Sequence, residues 1–303
     1  MIELNRIYNE DCFETMQKMC INKTSVDLVL TSPPYNTNKK AGKSTTLNSL
    51  SKNVSKYIRY DMHVDNQTNE EYCEFTTKLF KSYDKILNKN GCVLYNLSYG
   101  SENTTGMFLA VSEIIKNTDF TIADVLIWKK KSAFPNNCSP NKLTRITEFV
   151  FVLCRKSEFK TFNCNKRVVS TRKTGQKMYE NIFNFIEAKN NDGACDLNKA
   201  TFSTDFAKQV LSIYAKQGNV VYDSFMGTGT TALACAELGL NYIGSELSNA
   251  QCDYARNRLA IACINTNRNY IGFELDKHYC KKIERRITTA STDTFDLFCS
   301  LLH

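Results

Sequence analysis

The stretch GNVVYDSFMGTGTTALACAELGLNYIGSE, Gly218 to Glu246, decides the fold. An apolar run ends at Asp223, a turn with Gly227 and Gly229 follows, and a second apolar run ends at Glu246, 19 residues after Gly227. A strand, a glycine turn that opens a helix and a second strand ending in an acid form the layout of a nucleoside-binding βαβ unit. The glycines let the backbone approach a ligand closely, and the acid is placed to bind both ribose hydroxyls.

This unit also limits the kind of ligand. The turn lacks Gly-Lys-Ser/Thr, which excludes a Walker A loop and makes a nucleoside triphosphate a poor candidate. The full dinucleotide pattern G-x-G-x-x-G is missing as well. A cofactor with a ribose, an adenine and no phosphate fits best, and a purely structural left-handed turn is the alternative interpretation.

Short apolar runs alternate with longer amphipathic stretches along the rest of the 303 residues, a pattern typical of βα units. We therefore predict one α/β domain over residues 1–303, with a mostly parallel, doubly wound sheet and helices on both faces. An amphipathic helix is predicted from Asn69, with Gly91 as its left-handed C-cap. The predicted strands are Val26 to Leu30, Gly91 to Leu97, Ile122 to Trp128, Glu148 to Cys154, Asn219 to Asp223 and Asn241 to Glu246.

Composition favours a soluble, cytoplasmic protein. Lys plus Arg exceed Asp plus Glu by 39 to 31, which mildly favours a polyanionic partner such as nucleic acid. The 13 cysteines are scattered and there are three histidines, so neither a metal site nor a disulfide framework is predicted. No run approaches the ~18 apolar residues of a membrane span, and no membrane contact is expected.

Three segments stand apart from the predicted sheet. Residues 37–60 are polar and rich in lysine, and we interpret them as a mobile active-site loop, with disorder as the alternative. Residues 163–191 are basic and then aromatic, and we interpret them as a small insertion. Residues 260–287 match 232–259 at 11 of 28 positions, which indicates a duplicated αβα unit.

The tetrapeptide Ser32-Pro33-Pro34-Tyr35 directly follows a predicted strand. Two adjacent prolines fix two φ angles and donate no N–H, so they end the strand in a stiff corner. In a parallel sheet this corner lies at the carboxyl edge, where ligands bind.

With these two motifs the chain resembles a known family. TSPPY (Thr31 to Tyr35) followed much later by DSFMGTGTT (Asp223 to Thr231) is similar to the S-adenosylmethionine-dependent DNA methyltransferases that modify N4 of cytosine or N6 of adenine. The catalytic tetrapeptide comes first and the cofactor loop last, as in the group called β. The resemblance covers most of the chain and implies a class I methyltransferase-like fold with permuted motif order.

The resemblance implies roles for the tetrapeptide. An exocyclic amine is a poor nucleophile because its lone pair is delocalised into the ring, so the site needs hydrogen-bond acceptors rather than a strong base. The Ser32 side chain and the Pro33 carbonyl are implied to accept the amino hydrogens, Pro34 to stiffen the turn and Tyr35 to stack on the base. A serine at position 32 favours N4-cytosine slightly over N6-adenine.

The resemblance also implies a site for S-adenosylmethionine. Glu246 is expected to bind the ribose and Asp11 the adenine amino group, with Phe202 packed nearby. Asp11 could equally be a helix cap and Phe202 a core residue. Glu274 ends the duplicated unit and rivals Glu246, but only Glu246 lies at the usual distance from the glycine turn. The turn itself, which frames the methionine half, supplies Asp223, Phe225, Gly227, Thr228, Gly229 and Thr230.

The implied partner is double-stranded DNA, because an amino group inside a duplex is reached by flipping the nucleotide out. The phosphates are expected to contact Lys39 to Lys56, Lys166 to Lys177 and Trp128 to Lys131, and residues 163–191 are the candidate for target recognition. A cognate restriction endonuclease and a homodimer are left open. A methyltransferase for RNA or protein, and a catalytically silent DNA-binding module of the same fold, are the competing hypotheses.

Overall fold

The computed structural model describes residues 2–36, 67–100, 103–133, 136–137, 139–193, 197–198 and 201–265, with side chains described up to residue 260. The loop predicted over 37–60 and most of the unit predicted over 260–287 lie outside these residues. Among the described helices, none combines the length and the apolar run needed to cross a bilayer.

A single eight-stranded sheet organises the described residues, with strand order β1-β10-β9-β2-β3-β5-β4-β8. Seven of these strands run in one direction, and β5 alone is antiparallel to its two neighbours, β3 and β4. The strands are β1 (Arg6–Tyr8), β2 (Val26–Thr31), β3 (Leu87–Leu97), β4 (Phe120–Lys130), β5 (Thr147–Arg155), β6 (Val168–Thr171), β7 (Lys177–Tyr179), β8 (Phe185–Ala188), β9 (Val220–Asp223) and β10 (Asn241–Ser245). Strands β6 and β7 form a separate antiparallel pair.

Helices cover both faces of the sheet. They are α1 (Cys12–Ile21), α2 (Asn69–Ile86), α3 (Gly106–Asn117), α4 (Thr204–Tyr214), α5 (Thr230–Leu238) and α6 (Asn249–Asn265). One apolar cluster joins α1, α2 and α3 to the sheet, and a second joins α4, α5 and α6 to the opposite face. Successive residues of β3, such as Val93 and Leu94, belong to different clusters, as the two-residue period of a strand requires. The predicted doubly wound α/β fold is confirmed.

One predicted boundary is wrong. Helix α2 ends at Ile86, and β3 begins at Leu87 without a glycine cap. Gly91 lies inside β3, where an added Cβ would lie 2.8 Å from the Asp27 carbonyl oxygen. The β2–β3 pairing shifts register at this point, so the glycine is needed for close backbone approach in an irregular strand pair.

Residues 163–191 have two structural parts. Strands β6 and β7 form the hairpin that stands apart from the sheet. Strand β8 instead pairs in parallel with β4 and forms the edge of the main sheet. One part of the segment is therefore a separate hairpin, and the other part is the edge strand of the central sheet.

Candidate active site

The two motifs meet at the carboxyl edge of three neighbouring strands. Strands β10, β9 and β2 lie side by side, and each is followed directly by part of a motif: Glu246 after β10, the glycine turn after β9 and Ser32 after β2. A cavity opens at this edge. Of the predicted site residues, it is lined by Asp11, Ser32, Pro34, Phe202, Asp223, Phe225, Gly227, Thr230 and Glu246.

Four predicted site residues are not part of this lining. Pro33 and Thr228 are buried, and Tyr35 is directed into a side-chain network described below. Gly229 is the N-cap of α5 with φ +82°, and an added Cβ would lie 2.7 Å from the Cβ of Ala255. Gly229 is therefore required by the packing of α6 on the turn.

The Glu246 carboxylate accepts hydrogen bonds from backbone N–H groups, one of them in the glycine turn. Its Oε2 accepts from the Gly227 N–H at 2.8 Å, and its Oε1 accepts from the Ser248 N–H at 2.8 Å. Burial raises the pKa of this carboxyl above its ordinary value. A carboxylate has about four lone-pair sites, so beyond its backbone donors Glu246 can still accept from a ligand hydroxyl.

Asp223 holds the turn from below. Its Oδ1 accepts from Thr31 Oγ1 at 2.7 Å and from the Phe225 N–H at 3.0 Å, and its Oδ2 accepts from Thr231 Oγ1 at 2.6 Å. Burial raises its pKa from 3.8 to about 6, against the lowering effect of these hydrogen bonds. Asp223 thus joins the strand that leads to Ser32 with the turn that leads to α5.

Asp11 and Phe202 each combine a structural role with a place in the cavity. Asp11 caps α1 by accepting from the Phe13 N–H at 2.8 Å, and it also lines the cavity. Phe202 is buried with its ring centroid 5.3 Å from that of Phe206, and it too lines the cavity. A structural role therefore does not exclude ligand contact at either position.

The chemistry of the lining suits a cationic nucleoside without phosphates. Four acids line the cavity (Glu10, Asp11, Asp223 and Glu246), together with the rings of Phe75, Phe202 and Phe225. No lysine or arginine lines it in the described part of the chain. Phosphate binding favours basic side chains, whereas acids and aromatic rings suit a positive centre and an adenine.

The tetrapeptide is held by side chains from distant strands. Tyr35 Oη lies 2.6 Å from Ser32 Oγ, and it donates to Glu148 Oε2 at 3.0 Å. Asn96 Nδ2 donates to Tyr35 Oη at 2.7 Å and to Glu148 Oε2 at 2.9 Å, and Lys130 Nζ pairs with Glu148 Oε1.

The proline corner has its own support. The buried Tyr72 hydroxyl donates to the Pro34 carbonyl at 2.9 Å. Asn36, the next residue after the tetrapeptide, has φ +50°, a conformation that asparagine tolerates better than most residues. Its side chain donates to the Gln67 carbonyl at 3.0 Å. These contacts therefore hold the corner at Pro34 and just after Tyr35.

Comparison with known proteins identifies the chain. The family model described as DNA methylase (N6_N4_Mtase) matches residues 26–257, which include both motifs. The chain belongs to this DNA methylase family.

Curated relatives agree with this assignment. The methylase is 25% identical over 272 residues to the orphan methyltransferase M.BamHII of Bacillus amyloliquefaciens, covering 79% of this chain and 90% of that protein. It is 27% identical over 267 residues to the type II methyltransferase M.HinfI of Haemophilus influenzae, covering 84% of this chain and 68% of that protein.

Solved structures share the fold of the methylase. The PvuII DNA methyltransferase (cytosine-N4-specific) superposes with a TM-score of 0.62 at 15% identity, covering 94% of this chain and 93% of that one. The M1.HpyAVI–SAM complex superposes with a TM-score of 0.55 at 22% identity, covering 84% and 98%. The predicted class I methyltransferase-like fold is confirmed.

The structure corrects the expectation for the basic segment Trp128 to Lys131. Trp128 is 2% exposed and stacks on Phe206 with ring centroids 4.2 Å apart, so it belongs to the core of the methylase and cannot contact DNA. Lys130 pairs with Glu148, and Lys129 pairs with Glu187. Of the four residues, only Lys131 is exposed and neither packed in the core like Trp128 nor ion-paired like Lys129 and Lys130.

Sequence reasoning missed Glu148, Asn96 and Tyr72. A weak signal exists for the first two, because each is a lone polar residue within or at the end of an apolar strand. Glu148 opens the run EFVFVLC, and Asn96 interrupts VLYNL. Buried polar groups in such places usually have partners, but the pattern does not say which.

Proposed function

We propose that this methylase transfers a methyl group to the exocyclic amino group of a base flipped out of duplex DNA, with N4 of cytosine favoured slightly over N6 of adenine. The cofactor is S-adenosylmethionine. One observation carries the proposal: Ser32 and Glu246, the two ends of the predicted site, line the same cavity.

The cofactor half of the cavity fits the parts of this molecule. S-adenosylmethionine, when bound, supplies an activated methyl group on a sulfonium. Glu246 would accept hydrogen bonds from the ribose hydroxyls, Asp11 would bind the adenine amino group, and Phe202 and Phe225 would pack against the cofactor. The acidic lining complements the positive sulfur.

On the base half, the tetrapeptide would orient the amine. The Ser32 side chain and the Pro33 carbonyl accept its two hydrogens, which draws the nitrogen lone pair out of conjugation and toward the methyl group. Fixed acceptors around a nitrogen that becomes positive are a form of electrostatic preorganisation. Tyr35 supplies a ring close to the flipped base.

Recognition of the DNA is assigned to the segment 163–191. Its strands β6 and β7 form a sheet of their own, and the segment carries Lys166, Arg172, Lys173 and Lys177, which suit phosphates, whereas Arg167 pairs with Glu180. A cognate restriction endonuclease, a homodimer and a cytoplasmic location stay predictions.

The test is a transfer assay with unmethylated duplex DNA and cofactor labelled in the methyl group. The DNA is digested to nucleosides, and mass spectrometry separates N4-methylcytosine from N6-methyladenine. We expect labelled N4-methylcytosine, and much less label in Ser32→Ala although that variant binds the cofactor.

Three results would contradict parts of this proposal. N6-methyladenine as the product would contradict the choice of base. Bound cofactor without any transfer would support a silent DNA-binding module. Preferential labelling of RNA or protein over duplex DNA would indicate a methyltransferase for that substrate instead.

A further inference from the structure

A buried acid from the one reversed strand faces the tetrapeptide. Glu148 lies near the start of β5, is 7% exposed and contacts Tyr35. We propose that Glu148 is a positioning residue that fixes the direction of the hydrogen bonds around Ser32, so that Ser32 presents an acceptor to the target amine. The inference rests on the role of Ser32 under the proposed function.

The direction of these hydrogen bonds follows from the chemistry of Glu148. An ionised carboxylate only accepts hydrogen bonds. Lys130 Nζ donates to Oε1, and the Tyr35 hydroxyl and Asn96 Nδ2 donate to Oε2 at 3.0 and 2.9 Å. A phenol has one hydrogen. Because Tyr35 gives that hydrogen to Glu148, its oxygen can only accept from its other neighbours.

The same logic then sets the orientation of Ser32. Tyr35 Oη accepts from Asn96 Nδ2 at 2.7 Å and lies 2.6 Å from Ser32 Oγ, so the Ser32 hydroxyl must donate to Tyr35. Asn96 Nδ2 also lies 3.4 Å from Ser32 Oγ, but its two hydrogens serve the shorter contacts to Tyr35 and Glu148. The lone pairs of Ser32 Oγ are left for the cavity.

The hydrogen-bond network matters because position 32 is a serine. A carboxylate at this position would accept from the amine without any such network. A serine hydroxyl can donate or accept, and a hydroxyl hydrogen directed at the amine would oppose the N–H groups it has to bind. Lys130 balances the charge of Glu148, which a buried carboxylate needs. The network therefore gives a neutral serine the fixed acceptor character of a carboxylate.

The test compares four proteins in single-turnover methyl transfer: wild type, Glu148→Gln, Tyr35→Phe and the double variant. Enzyme is in excess over whole-genome-amplified duplex DNA, and the cofactor is labelled in the methyl group. A glutamine at position 148 can turn its NH₂ toward Tyr35 and so loses control of direction while keeping the shape. We expect transfer slower by about 10- to 100-fold in Glu148→Gln, with the Kd for the cofactor unchanged within about twofold.

The double variant separates this role from a merely structural one. If Glu148 acts through the Tyr35 hydroxyl, Tyr35→Phe lowers the rate similarly, and adding Glu148→Gln causes no further loss. Glu237→Gln is the matched control, because Glu237 also pairs with a lysine, Lys208, but lies outside both the cavity lining and the segment 163–191. It should transfer methyl groups at the wild-type rate.

Three results would overturn the proposal: a Glu148→Gln rate within about twofold of wild type, losses that multiply in the double variant, or a loss confined to cofactor affinity. Should Glu148→Gln not fold, Tyr35→Phe decides alone, and a rate within about twofold of wild type overturns the proposal. The methylated base is identified in the same reactions. N6-methyladenine would contradict the proposed base and still leave these rate ratios to judge Glu148.

Discussion

The cofactor side and the base side of the cavity are held together by different kinds of contact. Glu246 on the cofactor side accepts from the backbone N–H groups of Gly227 and Ser248, 19 and 2 residues away. Tyr35 on the base side is held by the side chains of Glu148 and Asn96, 113 and 61 residues away. The cofactor side thus depends on one local turn, and the base side depends on the assembled sheet.

This difference bears on how the two sides can change. Backbone donors persist whatever the side chains are, so the cofactor turn tolerates substitution as long as its conformation is kept. Side-chain donors change with every substitution. The base side can therefore be altered, residue by residue, without disturbing the cofactor site, provided that Asp223 continues to join the two sides through Thr31 and Thr231.

The largest effect should follow from removing the acid of the cofactor side. Glu246→Ala loses the carboxylate that would bind the ribose and that holds the Gly227 and Ser248 N–H groups. Hydrogen bonds to a charged group contribute about 1.5–3 kcal/mol each. We expect the Kd for S-adenosylmethionine to rise by about 100- to 1,000-fold, or about 3–4 kcal/mol, in isothermal titration.

The repeat supplies the control for this experiment. Glu274 ends the same NYIG-x-EL pattern as Glu246 but does not follow the glycine turn at the usual distance. Glu274→Ala should bind the cofactor with wild-type affinity. A loss of binding in Glu274→Ala together with normal binding in Glu246→Ala would reverse the assignment of the two units.

The contrast between the two sides also explains what could be predicted from the sequence. The cofactor turn is contiguous, so the order strand, glycine turn, helix, strand and acid predicts that Asp223, Gly227 and Glu246 lie together, and the three line one cavity. The tetrapeptide could be placed at the same edge because a parallel sheet brings the carboxyl ends of its strands together. Both inferences need only local pattern and strand direction.

Glu148 could not be found in this way, because its position depends on the direction of β5. Periodicity predicts that a strand exists but not which way it runs. Strand β5 runs against its neighbours, so its beginning, not its end, lies at the edge of the sheet where the cavity opens. The prediction for Gly91 was wrong for a related reason: a glycine after a helical pattern suggests a cap, whereas the contact that requires it comes from the neighbouring strand.

A second prediction concerns Asp223, the residue that joins the two sides. Burial raises its pKa from 3.8 to about 6, so the folded protein binds this proton more tightly than the unfolded chain. The stability contributed by this proton is full below pH 3.8 and is lost as the pH rises through about 6. Over that window we expect wild type to lose up to about 3 kcal/mol relative to Asp223→Asn.

Asparagine is a suitable comparison because it fits the same partners. Its oxygen can accept from Thr31 Oγ1 and the Phe225 N–H, and its NH₂ can donate to Thr231 Oγ1. Urea unfolding of both proteins at pH 4 and pH 7.5 gives the difference in unfolding free energy. A difference that stays constant with pH would show that Asp223 titrates alike in both states.

The smallest expected effect concerns two glycines with the same φ angle, one in the cofactor turn and one in the β6–β7 hairpin. Gly229 and Gly175 both have φ +82°, so alanine at either position carries a backbone cost of about 1 kcal/mol. Only at Gly229 does the new Cβ also meet a neighbour, 2.7 Å from the Cβ of Ala255, whereas nothing lies within 4 Å at Gly175.

Overpacking of this kind costs about 1–3 kcal/mol. Gly229→Ala should therefore lower the unfolding free energy by about 2 kcal/mol more than Gly175→Ala in urea titrations. Equal losses would mean that α6 yields to the methyl group, and that the turn is held less tightly than the backbone contacts of the cofactor side imply.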